Sequence, residues 1–170
     1  MRGAGLMGRN LMTANLVLRD VREADLAIFF EHQRDPVASR MAAFTAKDPS
    51  DGDAFMAHWV KIRNDPNIRI RTILVDGRVV GNIAKWVNEF GNPEVTYWIA
   101  REEWGKGIAT LALSRLLSEV TQRPIYGRAA RDNTGSLRVL EKCGFTITGY
   151  DKGFANARGE EIEEAMLILR

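Results

Sequence analysis

Hydrophobic and polar residues alternate along this chain with two different periods, and each change of period predicts a change of secondary structure. A period of two is typical of a strand, and a period of 3.6 is typical of a helix. The first third of the chain predicts one strand and two helices, with an irregular stretch between the helices because Pro36 and Pro49 occur there. The strand covers residues 15–19, the helices cover residues 21–33 and 53–63, and the irregular stretch covers residues 34–53.

The middle of the chain predicts an antiparallel meander of three strands. Residues 67–75 and 78–87 are joined by Asp76-Gly77, a dipeptide typical of two-residue hairpin turns. Gly81, inside the second strand, marks a bulge or a close contact. The third strand begins at Glu94 and is rich in β-branched and aromatic residues.

The last third alternates helices and strands. The pattern predicts a long helix from Gly107 to about 121, a strand over 124–130, a short helix over 136–142, and strands over 145–150 and 164–169. Gly153 and Gly159 are expected to join the last two strands. We therefore expect one mixed α/β domain over residues 15–170, preceded by a poorly ordered, glycine-rich extension over residues 1–14 that is not a signal peptide.

Composition fits an ordinary globular domain and argues against several classes of protein. The chain has 170 residues, of which 45% are hydrophobic, and a net charge of +2 with the basic residues scattered. We expect no nucleic-acid partner and no membrane partner, and a cytoplasmic protein that is a monomer or a homodimer. One cysteine, Cys143, excludes an intramolecular disulfide, and only two histidines argue against a metal site.

The third strand of the meander leads into a glycine loop and then into the long helix. The first turn of a helix has backbone N–H groups without intrahelical partners, and the helix dipole places positive charge there. Gly105 and Gly107 have no Cβ, so a phosphate group can approach the backbone closely, and Lys106 adds a mobile positive charge. The stretch thus predicts a diphosphate site, but its spacing fits neither a P-loop nor a dinucleotide fingerprint.

The loop resembles the acetyl-CoA signature of the GNAT N-acetyltransferase superfamily, Gln/Arg-x-x-Gly-x-Gly/Ala. It falls on Trp104-Gly105-Lys106-Gly107-Ile108-Ala109, where Trp104 departs from the usual Gln or Arg and resembles the Rim-type branch that acetylates ribosomal-protein N-termini. A second stretch, from Asn133 and Ser136 to Phe145, resembles the other GNAT hallmark, Asn-x-x-Ser followed by a short helix and Lys-x-Gly-Phe.

The resemblance implies a fold and a reaction. The fold is a mostly antiparallel sheet flanked by helices, with a V-shaped splay between two parallel strands, and the first two helices form one wall of the acceptor cleft. The loop with Met41, Phe44 and Thr45 is a candidate for acceptor contact, and an ordinary surface loop is the alternative. The reaction is direct transfer of the acetyl group of acetyl-CoA to an amine, without a metal.

The resemblance also assigns residues to acetyl-CoA, with the strand lying along the pantetheine arm and the loop holding the pyrophosphate. These residues are Tyr97, Trp98, Ile99, Trp104, Gly105, Lys106, Gly107, Ile108, Ala109, Thr110, Asn133 and Ser136. For Asn133 the alternative role is a helix cap. For Tyr97 and Ile99 the alternative role is packing in the core, and both roles can hold together because the contacts to the pantetheine arm come from the backbone. Arg131, Arg138 and Lys142 are candidates for the 3′-phosphate of the cofactor.

The catalytic residues are less clear because two positions depart from the family. Many relatives have a tyrosine acid where this chain has Leu140, and others have a glutamate base where it has Arg128. Ser136 is the candidate for a substitute acid, with a first-turn helix serine that bonds to the backbone as the alternative. Glu94 is the base candidate, acting directly or through a water, with a solvated edge residue as the alternative. Asp132 and Tyr126 are weaker options, and Cys143 is expected to be a buried small apolar residue.

Two functions from different classes remain. The first is an acetyl-CoA-dependent N-acetyltransferase acting on a protein N-terminus or a small-molecule amine. The missing strong base favours an amine of low pKa, since an α-amino group titrates near 7.7–8.0 and lysine near 10.4. The second is a CoA-binding module with little or no catalysis that serves as a sensor or partner protein.

Overall fold

The computed structural model describes residues 15–170, and the predicted extension over residues 1–14 lies outside this range. Seven strands and five α-helices follow one another within residues 15–170. In order they are β1 (Leu16–Arg19), α1 (Glu23–Arg34), α2 (Pro36–Ala42), α3 (Gly52–Arg63), β2 (Arg69–Val75), β3 (Arg78–Val87), β4 (Pro93–Ile99), α4 (Ile108–Glu119), β5 (Ile125–Ala130), α5 (Thr134–Lys142), β6 (Thr146–Ala155) and β7 (Glu160–Leu169). A short 3₁₀ helix, Arg101–Glu103, precedes α4.

The strands form one sheet in the order β1-β2-β3-β4-β5-β7-β6. All neighbours are antiparallel except β4 and β5, which are parallel and share a single register pair, Glu94 with Tyr126. Strands β3 and β4, in contrast, pair over seven positions. The sheet therefore opens between β4 and β5, which confirms the predicted mixed sheet with a splay between two parallel strands.

Helix α2 corrects the prediction that residues 34–53 lack regular structure. The carboxylate of Asp35 accepts hydrogen bonds from the backbone N–H groups of Val37 and Ala38, at 2.9 and 3.1 Å. Pro36 occupies the first helical position, where its missing N–H has no cost and its fixed φ suits the helix. Pro36, preceded by the capping Asp35, therefore begins a helix here and does not break one.

The last two strands are longer than predicted. β6 and β7 run for ten residues each, and Gly153 lies inside β6, paired with Ile162. Glycine at this position does not mark a turn; a Cβ there would lie 3.3 Å from the ring of Phe44. The reversal comes between β6 and β7, where Gly159 has φ +65°.

The meander is built as predicted. Asp76 and Gly77 both have positive φ, 50° and 75°, as a type I′ hairpin turn requires. Gly81 sits beside a bulge, because its partner is Ile73 whereas Val79 pairs with the next residue, Leu74. A Cβ on Gly81 would lie 2.1 Å from the carbonyl oxygen of Trp98. Both readings of this glycine, a bulge and a close contact, are correct.

Each face of the sheet packs against its own helices. The larger core joins one face to α4 and α5 through residues such as Val95, Leu113 and Leu140. The smaller core joins the other face to α1 and α3, through Phe29 and Trp59, whose ring centroids are 5.0 Å apart. No helix within residues 15–170 is long and apolar enough to cross a membrane.

A buried ion pair attaches α1 to the sheet. Asp25 is 3% exposed, and its carboxylate accepts hydrogen bonds from the Arg19 guanidinium, the Arg22 N–H and the Thr72 hydroxyl. Burial alone would raise the pKa of Asp25, but these three donors together lower it to about 2. The native state therefore strongly favours the ionised carboxylate.

The loop between α2 and α3 is fastened by the turn between β6 and β7. The side chain of Asn156 donates to the carbonyl oxygen of Thr45 at 2.8 Å, and the N–H of Ala157 donates to that of Ala43 at 3.1 Å. Arg158 donates to the carbonyl oxygen of Arg40 at 2.6 Å and pairs with Asp132. We call residues 156–158 the clasp.

Candidate active site in the opening of the sheet

The opening between β4 and β5 forms a cleft of about 1270 Å³. Its walls come from β4, from the loop before α4, from the first turn of α5, and from α1–α3 with the loop after α2. Met41, in the last turn of α2, and Phe44, in the loop after it, line the cleft, whereas the carbonyl oxygen of Thr45 accepts a hydrogen bond from the clasp. Phe44 thus brings this loop to the cleft, and Ala43 anchors the loop in a small core cluster; contact with the acceptor stays a prediction.

The glycine loop at one end of the cleft has the geometry of an anion site. Gly105 and Gly107 have φ values of 75° and 78°, and a Cβ on either would meet no atom within 4 Å. Gly107 is the N-cap of α4 and has no side chain that could occupy the N–H groups of the first turn. The indole N–H of Trp104 donates to the carbonyl oxygen of Ile99 at 2.9 Å, so the loop is tied to the end of β4.

Lys106 is already engaged in this structure. Its ammonium lies 2.9 Å from the carboxylate of Glu103, which is only 4% exposed and also binds Arg78 at 3.0 Å. The Lys106 hydrogen bond, followed by that of Arg78, lowers the pKa of Glu103 despite burial. The charge of Lys106 is thus balanced by Glu103, and the glycine backbone is the part of the loop that faces the cleft.

Strand β4 sends its side chains to both sides of the sheet. Tyr97 and Ile99 pack against the core that contains α4 and α5. Trp98, next to them in sequence, points to the opposite side by the alternation of a strand, and all three residues line the cleft. The Trp98 indole N–H is buried and has no hydrogen-bond partner among the described residues.

Asn133 and Ser136 lie at the start of α5, beside β4. The Asn133 side chain accepts a hydrogen bond from the Ser136 N–H at 3.1 Å and donates one to the carbonyl oxygen of Met41 at 3.3 Å. Asn133 is therefore a helix cap that also links α5 to the last turn of α2, and it lines the cleft. The Ser136 hydroxyl lies 2.6 Å from the hydroxyl of Tyr97.

Glu94 belongs to an ionic cluster that consists of buried Glu94 and partly buried Arg128 and Glu164, and that we call the carboxylate cluster. Glu94 is 7% exposed and accepts a hydrogen bond from the Asn88 side chain at 3.0 Å. The Arg128 guanidinium lies 3.6 Å from the carboxylates of both Glu94 and Glu164. The alternative that Glu94 is a solvated edge residue is therefore wrong.

Sequence reasoning identified neither Arg128 nor Glu164 of this cluster as a site residue. Burial raises the pKa of Glu164; Arg128 opposes this effect, and the nearby Glu94 carboxylate adds to it. Two carboxylates and one guanidinium leave a net charge of −1 on this side of the cleft. Neither their spacing nor their periodicity reveals the cluster, because it depends on β7 lying next to β5.

The remaining candidates separate into residues at the cleft and residues engaged elsewhere. Arg138 and Lys142 line the cleft, whereas Arg131 pairs with Glu163 and lies over the ring of Tyr150, 4.3 Å from its centroid. Asp132 pairs with Arg158 of the clasp. Residues 15–170 contain no group of three or more His, Cys, Asp or Glu side chains placed to hold a metal ion.

Cys143 has the environment of a structural residue. Its thiol donates to the carbonyl oxygen of Thr110 at 3.5 Å, and the side chain packs against the larger core. Burial raises the pKa of Cys143, which disfavours the reactive thiolate. These contacts agree with its interpretation as a small apolar residue.

A family model and a curated relative both match this chain as an acetyltransferase. A model of the acetyltransferase (GNAT) domain matches residues 15–146. The uncharacterized N-acetyltransferase p20 of Bacillus licheniformis is 23% identical over 168 residues, which cover 94% of this chain and 94% of that protein.

Two solved structures share the fold. Spermidine N-acetyltransferase of Vibrio cholerae, solved with CoA and spermine, superposes with a TM-score of 0.79 at 20% identity and covers 92% of this chain and 95% of its own. RimL, a ribosomal L7/L12 α-N-protein acetyltransferase solved with CoA, gives a TM-score of 0.79 at 15% identity, with 93% and 95% covered.

Proposed function

The chain belongs to the GNAT acetyltransferase family, and we propose that its cleft transfers the acetyl group of acetyl-CoA directly to a primary amine that binds as an ammonium ion. The observation that carries the choice of acceptor is the carboxylate cluster of Glu94, Arg128 and Glu164, which lines the cleft. Its net charge of −1 matches one ammonium group.

Acetyl-CoA is the co-substrate, and the glycine loop is the proposed site of its diphosphate. A phosphate group can reach the backbone N–H groups at the start of α4, because Gly105 and Gly107 have no side chains and no atoms crowd them. The pantetheine arm is proposed to run along residues 97–99, where the single register pair between β4 and β5 leaves backbone groups free to bond it. The remaining proposed contacts are Trp104, Lys106, Ile108, Ala109, Thr110, Asn133 and Ser136, together with Arg138 and Lys142 at the 3′-phosphate.

The acceptor is proposed to occupy the side of the cleft that carries the carboxylate cluster. Glu164 and Glu94 bind the ammonium group, and Glu94 accepts its proton, directly or through a water. The neutral amine then attacks the carbonyl carbon of the thioester. The carbon–sulfur bond breaks, and Ser136, across the sheet from Glu94, donates to the departing sulfur.

Known acceptors of the structural neighbours agree with this charge. Spermine accompanies CoA in the Vibrio cholerae enzyme, and RimL acts on a protein α-amine. Both acceptors are cationic amines, so the cluster suits a small amine and a protein N-terminus alike. An acceptor that carries its own carboxylate should, in contrast, be repelled.

A matched pair of acceptors tests the proposal. Butylamine and 4-aminobutyrate have similar chains and similarly basic amines, but only the second carries a carboxylate. We expect kcat/KM to be at least about tenfold higher for butylamine, as expected for a repulsion of about 1.4 kcal/mol at a partly buried site. Equal rates, or faster acetylation of 4-aminobutyrate, would refute the proposed role of the cluster.

The same assay decides between the enzyme and the catalytically inactive CoA-binding module. Calorimetry with acetyl-CoA, and with ATP as the control, establishes binding independently of turnover. Micromolar binding of acetyl-CoA without acetylation of any amine, including a peptide with a free N-terminus, would favour the binding module. Failure to bind acetyl-CoA would remove the glycine loop from the proposed site.

A further inference from the structure

The hydroxyl groups of Tyr97 and Ser136 meet between β4 and α5. Tyr97 is in the middle of β4, and Ser136 is in the first turn of α5. The two oxygen atoms are 2.6 Å apart, and both residues line the cleft. The distance is that of a strong hydrogen bond between two hydroxyl groups.

Acidity decides which hydroxyl donates in this bond. A phenol is a much stronger acid than an aliphatic alcohol, so the Tyr97 proton lies toward the Ser136 oxygen. The backbone carbonyl oxygen of Ser136 is also near the Tyr97 hydroxyl, but at 3.2 Å it is the more distant acceptor. Because Ser136 accepts from Tyr97, its own hydrogen remains free to donate to a third atom.

Burial keeps the Tyr97 hydroxyl protonated, and a helix cap fixes the position of Ser136. Burial raises the pKa of Tyr97 to about 12, although the bond to Ser136 opposes the rise. Tyr97 therefore stays protonated throughout the neutral and moderately alkaline range. Asn133 binds the Ser136 N–H and so holds the first turn of α5 against β4.

We propose that Tyr97 is a positioning residue for Ser136: it orients the serine hydroxyl so that its hydrogen points at the sulfur atom of the bound cofactor. The inference rests on the proposed function, because it gives Ser136 the role of donor to the leaving group. As the carbon–sulfur bond breaks, its electron pair stays on sulfur, and the Ser136 O–H stabilises that charge. The thiolate finally receives a proton from solvent, which balances the proton that the amine gave up.

Turnover of three variants tests this role. Tyr97→Phe keeps the ring and its packing but removes the donor, and Ser136→Ala removes the hydroxyl. We expect each to lower kcat by about ten- to a hundredfold, as for the loss of a hydrogen bond to a charged group, with little change in acetyl-CoA affinity. The double variant should be no slower than the slower single variant, because both substitutions remove the same hydrogen bond to the sulfur.

The pKa of the thiol of bound CoA gives a second readout that needs no turnover. Thiolate absorbs in the ultraviolet, so titration of the complex reports this pKa directly. A donor at the sulfur favours the thiolate, so the wild-type complex should have the lowest thiol pKa, and both single variants should raise it by about half a unit or more. Tyr150→Phe, on the exposed strand β6, is the control that should leave kcat and the thiol pKa unchanged.

The outcomes separate the two hypotheses. If the wild-type protein binds CoA but acetylates no amine, the proposed function fails, and the thiol titration still decides the role of Tyr97. If Tyr97→Phe leaves both kcat and the thiol pKa at wild-type values while Ser136→Ala changes them, Tyr97 does not position the serine. Additive losses in the double variant would likewise overturn the inference.

Discussion

Replacing Gly81 by alanine is expected to damage the cleft from the opposite side of β4. The Cβ of alanine would lie 2.1 Å from the Trp98 carbonyl oxygen, more than 1 Å closer than the 3.4 Å of an ordinary contact. A backbone oxygen cannot rotate out of the way. Strands β3 and β4 must therefore separate next to the bulge.

The size of the effect follows from what this separation breaks. The hydrogen bond from the Ala100 N–H to the Val80 carbonyl oxygen, now 2.9 Å long, would stretch beyond bonding range, as would its neighbour in the ladder. Two backbone bonds at about 1 kcal/mol each and overpacking at about 1–3 kcal/mol give a loss of about 3–5 kcal/mol. Acetyl-CoA affinity should fall too, because the end of β4 carries the proposed pantetheine site.

Gly127→Ala is the matched control. There the nearest atom to the new Cβ is Leu140 Cδ2 at 2.9 Å, the end of a side chain that can shift. We expect a loss of about 1 kcal/mol or less. Urea unfolding followed by tryptophan fluorescence measures both variants, and calorimetry measures acetyl-CoA binding. A Gly81→Ala protein as stable as the Gly127→Ala protein would refute the close contact.

Three further predictions concern the glycine loop, the buried ion pair and the cofactor's phosphate. Gly107→Glu should lower the affinity for acetyl-CoA at least about a hundredfold, because it places a negative charge near the diphosphate. Gly77→Glu introduces the same residue at a similar φ outside the site and should leave the affinity unchanged, so equal affinities for the two variants would contradict the proposed site. The folded protein lowers the pKa of Asp25 to about 2, so the stability that its carboxylate contributes is present above the unfolded pKa near 3.8 and is lost as the pH falls through 2. Asp25→Asn should therefore lower the free energy of unfolding at pH 7 by about 2 kcal/mol. In urea titrations this difference should shrink below pH 4, and a difference that does not change with pH would contradict the assignment. In calorimetry, Arg138→Ala should weaken binding of acetyl-CoA several-fold more than binding of its 3′-dephospho analogue, and equal losses for both ligands would exclude Arg138 from the 3′-phosphate site. Arg131→Ala should weaken binding of neither ligand, because the Arg131 guanidinium already pairs with Glu163.

Local features of the site were predictable from the sequence because their causes are local. The glycine loop, the helix behind it and the strand before it are encoded within residues 94–120, and the structure places them as expected. The family resemblance, the N-acetyltransferase function and the splayed sheet are confirmed by the family match and the fold. The roles of individual residues, among them Glu94 and Ser136, stay predictions.

Features that depend on distant segments were not predictable in the same way. Arg128 stood out in the sequence only as a missing base, and its place between two carboxylates follows from the strand order. The contact of Tyr97 with Ser136 joins residues 39 positions apart. Helix α2 is a different case, because aspartate followed by proline occurs both in turns and at the start of helices, and only the capping bonds of Asp35 distinguish the two.

The clasp has a consequence for how the cleft comes into being. Its bonds join residues 111 and 118 positions apart, Asn156 with Thr45 and Arg158 with Arg40. A ribosome releases α2 and its loop long before it makes the turn that fastens them, and contacts between such distant segments form late and slowly. The glycine loop and α4 are therefore synthesised before the turn that fastens α2, and we expect completion of the last hairpin to be the step that adds the proposed acceptor side to the proposed acetyl-CoA site.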